Sequence, residues 1–198
     1  MTTSHTADYD VIAVGAGFAG ISLSYHLREA GLNTKIFDRA DDIGGTWTWN
    51  RYPGAATDSE SYYYCLTFSK EVLQEWSWTK RYSGWEETQA YLKFVMDKFS
   101  LWPSFQLSTE VESAEFDNET GLWNVHTGDG KTHTAKYFIS AMGMISQPVI
   151  PNIAGMDSFN GPLFHSSRWP EGLDVAGKRI GIIGAGATTV QMLPEVAK

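Results

Sequence analysis

The chain has 198 residues, of which 42% are apolar and 14% aromatic, with 19 glycines against 7 prolines. This balance is typical of a packed globular protein and excludes a disordered or fibrous one. The formal charge is -8, and no basic run occurs, so we expect no nucleic-acid partner.

The N-terminal part of the chain predicts a tail followed by a βαβ unit. Residues 1–8 are small and polar, which indicates a loose tail. Residues 9–14 form an apolar run, the glycine turn 15–20 follows it, and a helical stretch ends at Gly31, a suitable C-cap. A second strand is predicted over 34–37. The two strands should be parallel neighbours.

The middle of the chain predicts a loop, a helix and three strands. From 44 to 64, Gly, Pro, Trp and Tyr crowd together without a period of 2 or 3.6, which indicates a long shaped loop. A helix is predicted over 85–99, with one apolar face formed by Tyr91, Phe94, Val95 and Phe99. Strands are predicted over 111–116, 122–127 and 132–140, as a small antiparallel insertion that returns to the main sheet.

The C-terminal part predicts a linker and the start of a second unit. Four prolines and several glycines over 146–177 are typical of a linker on a surface. Residues 178–183 predict a new strand that runs into the turn 184–189 and a helix. A βα unit without a partner strand cannot bury both faces, so 178–198 is expected to be incomplete as written.

Other residues indicate what the protein lacks. The single cysteine, Cys65, excludes an internal disulfide framework and a multi-cysteine zinc site. The spacing of the histidines gives no metal site. No apolar run reaches the roughly 20 residues of a membrane span, and the N-terminus does not resemble a signal peptide. We expect a soluble, cytoplasmic protein with no membrane partner.

The first glycine turn has the pattern of a dinucleotide-binding site. Gly15 permits the tight turn, Gly17 lets a pyrophosphate approach the backbone, and Gly20 lets helix and strand pack closely. Asp38 ends the next strand, where it would accept a hydrogen bond from a ribose hydroxyl. The same glycines also fit a purely structural turn.

The second turn keeps Gly184 and Gly186 but has Thr189 in place of the third glycine. It fits either a second nucleotide site or a structural strand-to-helix turn. Two dinucleotide sites in one chain favour a flavoprotein that takes hydride from a nicotinamide cofactor. The first site would hold FAD and the second NAD(P)H.

Two longer motifs carry a resemblance to a known family. Residues 159–170 fit the pattern FxGxxxHxxxW followed by Pro or Asp at every fixed position. Residues 44–58 contain a Gly-x-Trp, then an aromatic-Pro-Gly and then Asp58. With these motifs the chain resembles the type I Baeyer-Villiger monooxygenases over nearly its whole length.

The resemblance implies an α/β fold: a Rossmann-like FAD-binding domain over 9–145, a parallel sheet with a small antiparallel insertion. The linker over 146–177 and the first βα unit of a second, NADP-binding Rossmann domain over 178–198 would follow. The implied FAD site comprises Gly15, Gly17, Phe18, Ala19, Gly20, Asp38, Arg39, Gly45, Thr46, Trp47, Trp49, Asp58, Tyr64, Val111, Ala141 and Gly143. The implied NADPH contacts are Gly184, Gly186, Ala187, Thr188, Thr189 and Gln191. The implied domain-coupling residues are Phe159, Gly161, His165, Trp169 and Pro170.

Asp58 is the one catalytic residue that the resemblance implies. It would hold an arginine near the flavin, whose charge stabilises a peroxide anion. Without the resemblance, Asp58 is read as capping a turn or pairing with Arg51. The neighbouring tryptophans and tyrosines likewise fit a core as well as a flavin wall.

The implied reaction inserts one oxygen atom of O2 next to a ketone carbonyl, giving an ester or lactone. NADPH would reduce FAD, and a peroxide on the flavin would attack the ketone. The catalytic arginine and the substrate pocket would lie outside this chain, so turnover would require a C-terminal half or a complementary polypeptide. Two alternatives stay open: an N- or S-oxygenating flavin monooxygenase, and a non-catalytic flavin-binding module.

Overall fold

The computed structural model describes residues 6–198, which form one mixed six-stranded sheet flanked by helices. The strands are β1 Tyr9–Val14, β2 Thr34–Phe37, β3 Phe105–Gln106, β4 Val111–Asp117, β5 Leu122–Thr127 and β6 Thr132–Ser140. Their order across the sheet is β3-β2-β1-β6-β5-β4. The first four strands in this order are parallel, and β5 and β4 continue antiparallel. The predicted parallel pair and antiparallel insertion are confirmed.

The helices are α1 Phe18–Glu29, α2 Thr46–Trp49, α3 Lys70–Glu75, α4 Trp85–Lys98 and α5 Ala187–Val196. The predicted α4 is confirmed to within one residue. Its face is also confirmed, because Tyr91 and Val95 are fully buried and Phe94 and Phe99 pack on the same core. None of the helices within residues 6–198 is long and apolar enough to cross a bilayer.

Strand β1 is covered on both faces, because adjacent residues of a strand point to opposite sides. Ala13 of β1 and Ile36 of β2 face the core that α1 and α4 complete. Ile12 and Phe37 face a second core, shared with Val125 of β5 and other side chains of β5 and β6. This double burial accounts for the continuous apolar run of β1.

Several short elements were not predicted. The loop predicted over 44–64 contains α2 and a 3-10 turn at Ser61–Tyr64, and both α3 and the two-residue β3 come from sequence without a clear period. Each of these segments has six residues or fewer, which is too short to show a repeating pattern. They form because the surrounding core holds them in place.

The predicted strand over 178–183 is wrong. These residues are irregular, and Ile183 is 72% exposed. A strand forms only when its backbone groups pair with a neighbour, and within residues 6–198 no strand lies beside this segment. The helix after it does form, as α5, and its Met192 packs against Tyr52 and Ala55.

The predicted tail is partly held by the sheet, while the predicted linker is irregular. Residues 1–5 of the predicted tail lie outside the described residues. Asp8, within that predicted tail, is tied to the sheet, because Thr134 of β6 donates its backbone N–H to the Asp8 carboxylate at 2.8 Å. The linker over 146–177 is irregular except for two 3-10 turns, at Met156–Ser158 and Ser166–Arg168.

Candidate functional site

The first glycine turn lies where β1, β2 and β6 end. Gly15 has a φ of +117°, and a Cβ there would lie 2.3 Å from the carbonyl oxygen of Ala141. A Cβ on Gly20 would lie 1.9 Å from the carbonyl oxygen of Gly15. The packing of the chain therefore requires glycine at both positions.

Gly17 differs from the other two glycines. Its φ is -89°, which any residue adopts, and the atom nearest to a Cβ there would be Gly45 Cα, at an ordinary 3.4 Å. The fold itself does not require a glycine at the N-cap of α1. The first backbone N–H groups of a helix lack partners within it, so this bare position suits the close approach of an anionic ligand.

The segment around Gly44 and Gly45 crosses directly over this turn. Gly44 donates its N–H to the carbonyl of Ala16 at 2.9 Å, and a Cβ on Gly45 would lie 3.0 Å from Gly17 Cα. Gly45 also has a φ of 59° with a ψ of -115°, a combination open almost only to glycine. The structure thus brings the first glycine turn, 15–20, into contact with Gly44 and Gly45 of the motif 44–58. We call these residues together the glycine cradle.

Asp38 holds the turn to the end of β2. Ala16 donates its N–H to Asp38 Oδ2 at 2.6 Å, and Ala40 donates its N–H to Oδ1 at 2.8 Å. Each carboxylate oxygen can accept a second hydrogen bond. The role of Asp38 as an acceptor for a ribose hydroxyl stays a prediction. The structure adds a second role, because these two hydrogen bonds fix the glycine turn to the end of β2.

Gln89 of α4 supports the cradle from behind, a role that the sequence did not reveal. Its Nε2 donates to the carbonyl of Ile43 at 2.8 Å and to Thr48 Oγ1 at 3.2 Å. Thr48 Oγ1 in turn donates to the same carbonyl at 2.8 Å. A glutamine on the buried side of an amphipathic helix, here next to the equally buried Thr88, is the signal that could have identified it.

An aromatic wall follows the cradle. The ring of Tyr64 lies 5.7 Å from both Phe18 and Trp47, edge to face in each case. Burial raises the pKa of Tyr64, and its hydroxyl donates to Asp58 Oδ1 at 3.5 Å. The wall and the predicted catalytic carboxylate are therefore adjacent.

Asp58 is exposed and has no ion-pair partner within residues 6–198. Arg51, its alternative partner, lies over the Trp85 ring instead, at 4.9 Å. The pairing of Asp58 with Arg51 is thus absent from the structure. The carboxylate is available to a cation supplied from outside the described residues.

Trp49 makes cation–π contacts with two arginines. The guanidinium of Arg39 lies 5.3 Å from the centre of the Trp49 ring, and that of Arg168 lies 4.7 Å from it. Arg39 also donates to the carbonyl of Ser146 at 3.2 Å. These cation–π contacts join the linker to the site, and Arg168 was not among the predicted site residues.

Three further residues of the predicted FAD site lie at different distances from the first glycine turn. Ala141 adjoins the turn, donating its N–H to the carbonyl of Val14 at 2.8 Å. Gly143 has open space around it, and Val111 packs on the second core at the start of β4. Of these three, the structure brings only Ala141 into contact with the glycine turn.

The second glycine turn is exposed and open. Gly184 has a φ of +121°, and Thr189, at the third glycine position, donates its hydroxyl to the carbonyl of Gly184 at 3.0 Å. Gly186 is the N-cap of α5, and Ala187 and Thr188 form its first turn. Gln191 points away from this turn, and its side chain forms hydrogen bonds with Tyr52 and Ala56.

The linker motif packs mainly on itself. A Cβ on Gly161 would lie 2.8 Å from the ring of Phe159, and Nδ1 of His165 accepts from the Ser167 N–H at 3.1 Å. Trp169 lies edge to face with Phe164 and packs on the cluster around Met192, while Pro170 is exposed. Within residues 6–198 no group of His, Cys, Asp and Glu could hold a metal.

Comparison with known proteins places this site in context. A Baeyer-Villiger monooxygenase from Pseudooceanicola batsensis is 45% identical over 192 residues, which cover 96% of this chain and 35% of the relative. A phenazine N-monooxygenase from Lysobacter antibioticus is 42% identical over 199 residues, covering 100% of this chain and 37% of the relative. The chain thus spans little more than a third of the length of these relatives.

Solved structures agree. Cyclohexanone monooxygenase from Rhodococcus sp. Phi1, solved with NADP+, superposes with a TM-score of 0.90 at 42% identity, over 96% of this chain and 36% of that one. The family described as flavin-binding monooxygenase-like matches residues 9–198. The chain, with its glycine cradle and aromatic wall, belongs to this flavin-binding monooxygenase-like family.

Proposed function

We propose that this chain is the FAD-holding portion of an NADPH- and O2-dependent monooxygenase of the Baeyer-Villiger type. One observation carries the proposal: the glycine cradle, an aromatic wall and a carboxylate without an ion-pair partner among residues 6–198 meet at one edge of the sheet. The relative from P. batsensis and the cyclohexanone monooxygenase structure support it.

The residues present fit FAD. The pyrophosphate would lie at the N-terminus of α1, over Gly17, where unpaired N–H groups and the helix dipole favour an anion. The ribose hydroxyls would face Asp38, and the flavin would face the wall of Trp47 and Tyr64. When bound, FAD supplies the redox chemistry by which a nicotinamide cofactor and O2 are used.

Asp58 would supply a fixed negative charge beside the flavin. Because it is exposed and lacks an ion pair within the described residues, it can orient an arginine that reaches the site from elsewhere. That arginine would stabilise negative charge as oxygen is transferred to the ketone carbonyl. We place the nicotinamide cofactor at the second glycine turn, over Gly184 and Gly186.

The first experiment is the visible spectrum of the purified, desalted protein. A complementary C-terminal polypeptide is then added, followed by NADPH without air and finally by air and cyclohexanone. A retained flavin band, bleaching and formation of caprolactone would support the full proposal. Flavin that NADPH fails to bleach, even with a complementary C-terminal polypeptide added, would favour a non-catalytic flavin-binding module. A protein that never retains flavin would contradict the proposal.

A second candidate is N-oxygenation, because the L. antibioticus relative, which is 42% identical, is named for that reaction. The cradle and wall serve either reaction, since both need a flavin held beside a substrate. The products separate them: with phenazine, the second candidate yields an N-oxide, while cyclohexanone is left unchanged.

A further inference from the structure

The side chain of Gln191 makes three hydrogen bonds that join α5 to Tyr52 and Ala56, and we call this set of bonds the clamp. Its Nε2 donates to the carbonyl of Ala56 at 2.8 Å, and its Oε1 accepts from the Tyr52 hydroxyl at 2.8 Å and from the Ala56 N–H at 3.3 Å. Both acceptor sites of the amide oxygen and one of its two N–H groups are thereby used. Little of this amide is left for a nucleotide.

A second feature of the same loop fits the same helix. A Cβ on Gly54 would lie 2.4 Å from the carbonyl oxygen of Gln191, and Gly54 has a φ of +76°. Met192 is 6% exposed and packs against Tyr52 and Ala55. The loop Tyr52–Ala56 therefore packs closely against α5 in three ways. Gly54 has no side chain to collide with Gln191, Tyr52 and Ala55 contact Met192, and the backbone of Ala56 forms hydrogen bonds with the Gln191 side chain.

The loop Tyr52–Ala56 adjoins the candidate catalytic carboxylate. Ala56, clamped by Gln191, lies two residues before Asp58. Between them, Thr57 donates its N–H to the carbonyl of Ser83 at 2.9 Å and accepts from the Ser83 N–H through Oγ1 at 3.1 Å. This segment is thus held on one side by the turn before α4 and on the other by α5.

At the other end, α5 begins at the second glycine turn. Gln191 follows the N-cap Gly186 by five positions, about 7.5 Å along the helix. We propose that Gln191 is a positioning residue that ties the Asp58 segment to the helix of the second glycine turn. This link would fix the position of the Asp58 carboxylate relative to the second glycine turn, where α5 begins.

The clamp itself follows from the contacts, while its effect on Asp58 rests on the proposed function. The test has two arms so that these can fail separately. The first arm measures amide hydrogen exchange in the segment 52–58 of the FAD-loaded protein. The second measures kcat and KM for NADPH.

We expect Gln191→Ala to speed exchange at the Ala56 amide by about tenfold or more, because that amide loses its acceptor. Gln74→Ala is the matched control, since Gln74 is an exposed glutamine of α3, and should change neither arm. Tyr52→Phe should give a smaller increase, and adding it to Gln191→Ala should give little more, because the two residues share one interaction.

In the second arm, a positioning role lowers kcat while FAD content and KM for NADPH stay near their original values. A raised KM for NADPH with unchanged exchange would show instead that Gln191 contacts the nucleotide, and would overturn the proposal. Unchanged exchange in both Gln191→Ala and Tyr52→Phe would overturn the clamp, whatever the protein turns over. Should no substrate be converted, the exchange arm still decides on the clamp.

Discussion

Gly20→Ala tests whether the first glycine turn has the packing that the structure describes. The backbone at Gly20 is helical, so alanine meets no conformational obstacle, and its better helix propensity would favour folding by about 1 kcal/mol. The new Cβ would, however, lie 1.9 Å from the carbonyl oxygen of Gly15, far inside the 3.0 Å below which such contacts essentially never occur.

The opposing atom is backbone, so relief requires α1 to move away from the end of β1. Overpacking a core costs about 1–3 kcal/mol when side chains can adjust, and here none can. After the gain in propensity, we expect a net loss of about 2 kcal/mol or more in the free energy of unfolding. With an m-value of about 2 kcal/mol per molar urea, the unfolding midpoint should fall by about 1 M.

Gly17→Ala is the matched control, because its Cβ would meet only an ordinary 3.4 Å contact. Its unfolding midpoint without added FAD should move by less than half as much as that of Gly20→Ala. Its FAD affinity, measured by quenching of flavin fluorescence, should nevertheless fall at least about tenfold, because the methyl group occupies the approach of the pyrophosphate. A Gly20→Ala protein as stable as the original would refute the packing argument. Unaltered FAD affinity in Gly17→Ala would refute the assignment of the cradle.

Three further outcomes are expected. Asp58→Ala should keep its flavin spectrum but lose most oxygenation in the complete enzyme, and equal product formation with and without that carboxylate would contradict its assigned role. Gln89→Ala leaves the buried carbonyl of Ile43 with fewer donors, so thermal unfolding should show a loss of about 1–3 kcal/mol; no shift in midpoint would mean that the cradle needs no support from α4. The hydroxyl of Tyr91 accepts a hydrogen bond from the Leu66 N–H, and burial raises the pKa of Tyr91 to about 12. The folded state therefore holds that proton more tightly than the unfolded one, so stability should fall as the pH rises from 10 to 12. Tyr91→Phe should flatten this part of the urea-unfolding profile, and an unchanged slope would argue against Tyr91 as its source.

Local patterns were sufficient for the elements whose sequence repeats over several residues. The run 9–14, the glycine turn and the strand 34–37 predicted a parallel pair, and the three strands after 111 predicted the antiparallel insertion. The face of α4 was read from its spacing. These succeeded because burial on a sheet or a helix imposes a period that the sequence must carry.

Elements and contacts that depend on distant parts of the chain were decided by the tertiary structure. The segment 178–183 has the composition of a strand, but among residues 6–198 no strand lies beside it to pair with. In contrast, β3 has only two residues but forms beside β2. The sequence pattern does not show which groups Gln89 and Arg168 contact, namely the carbonyl of Ile43 and the Trp49 ring.

For function, the sequence by itself indicated, through two glycine turns and two longer motifs, a resemblance to monooxygenases that use both FAD and NADPH. The structure decided how these motifs are arranged. Gly45 lies over Gly17, and Asp38 accepts a hydrogen bond from the Ala16 N–H in the first turn. Gln191 forms hydrogen bonds with the loop before Asp58 and does not line the second turn. A hydrogen bond between residues 135 positions apart leaves no periodic trace in the sequence, because it depends on where the folded chain brings the two groups.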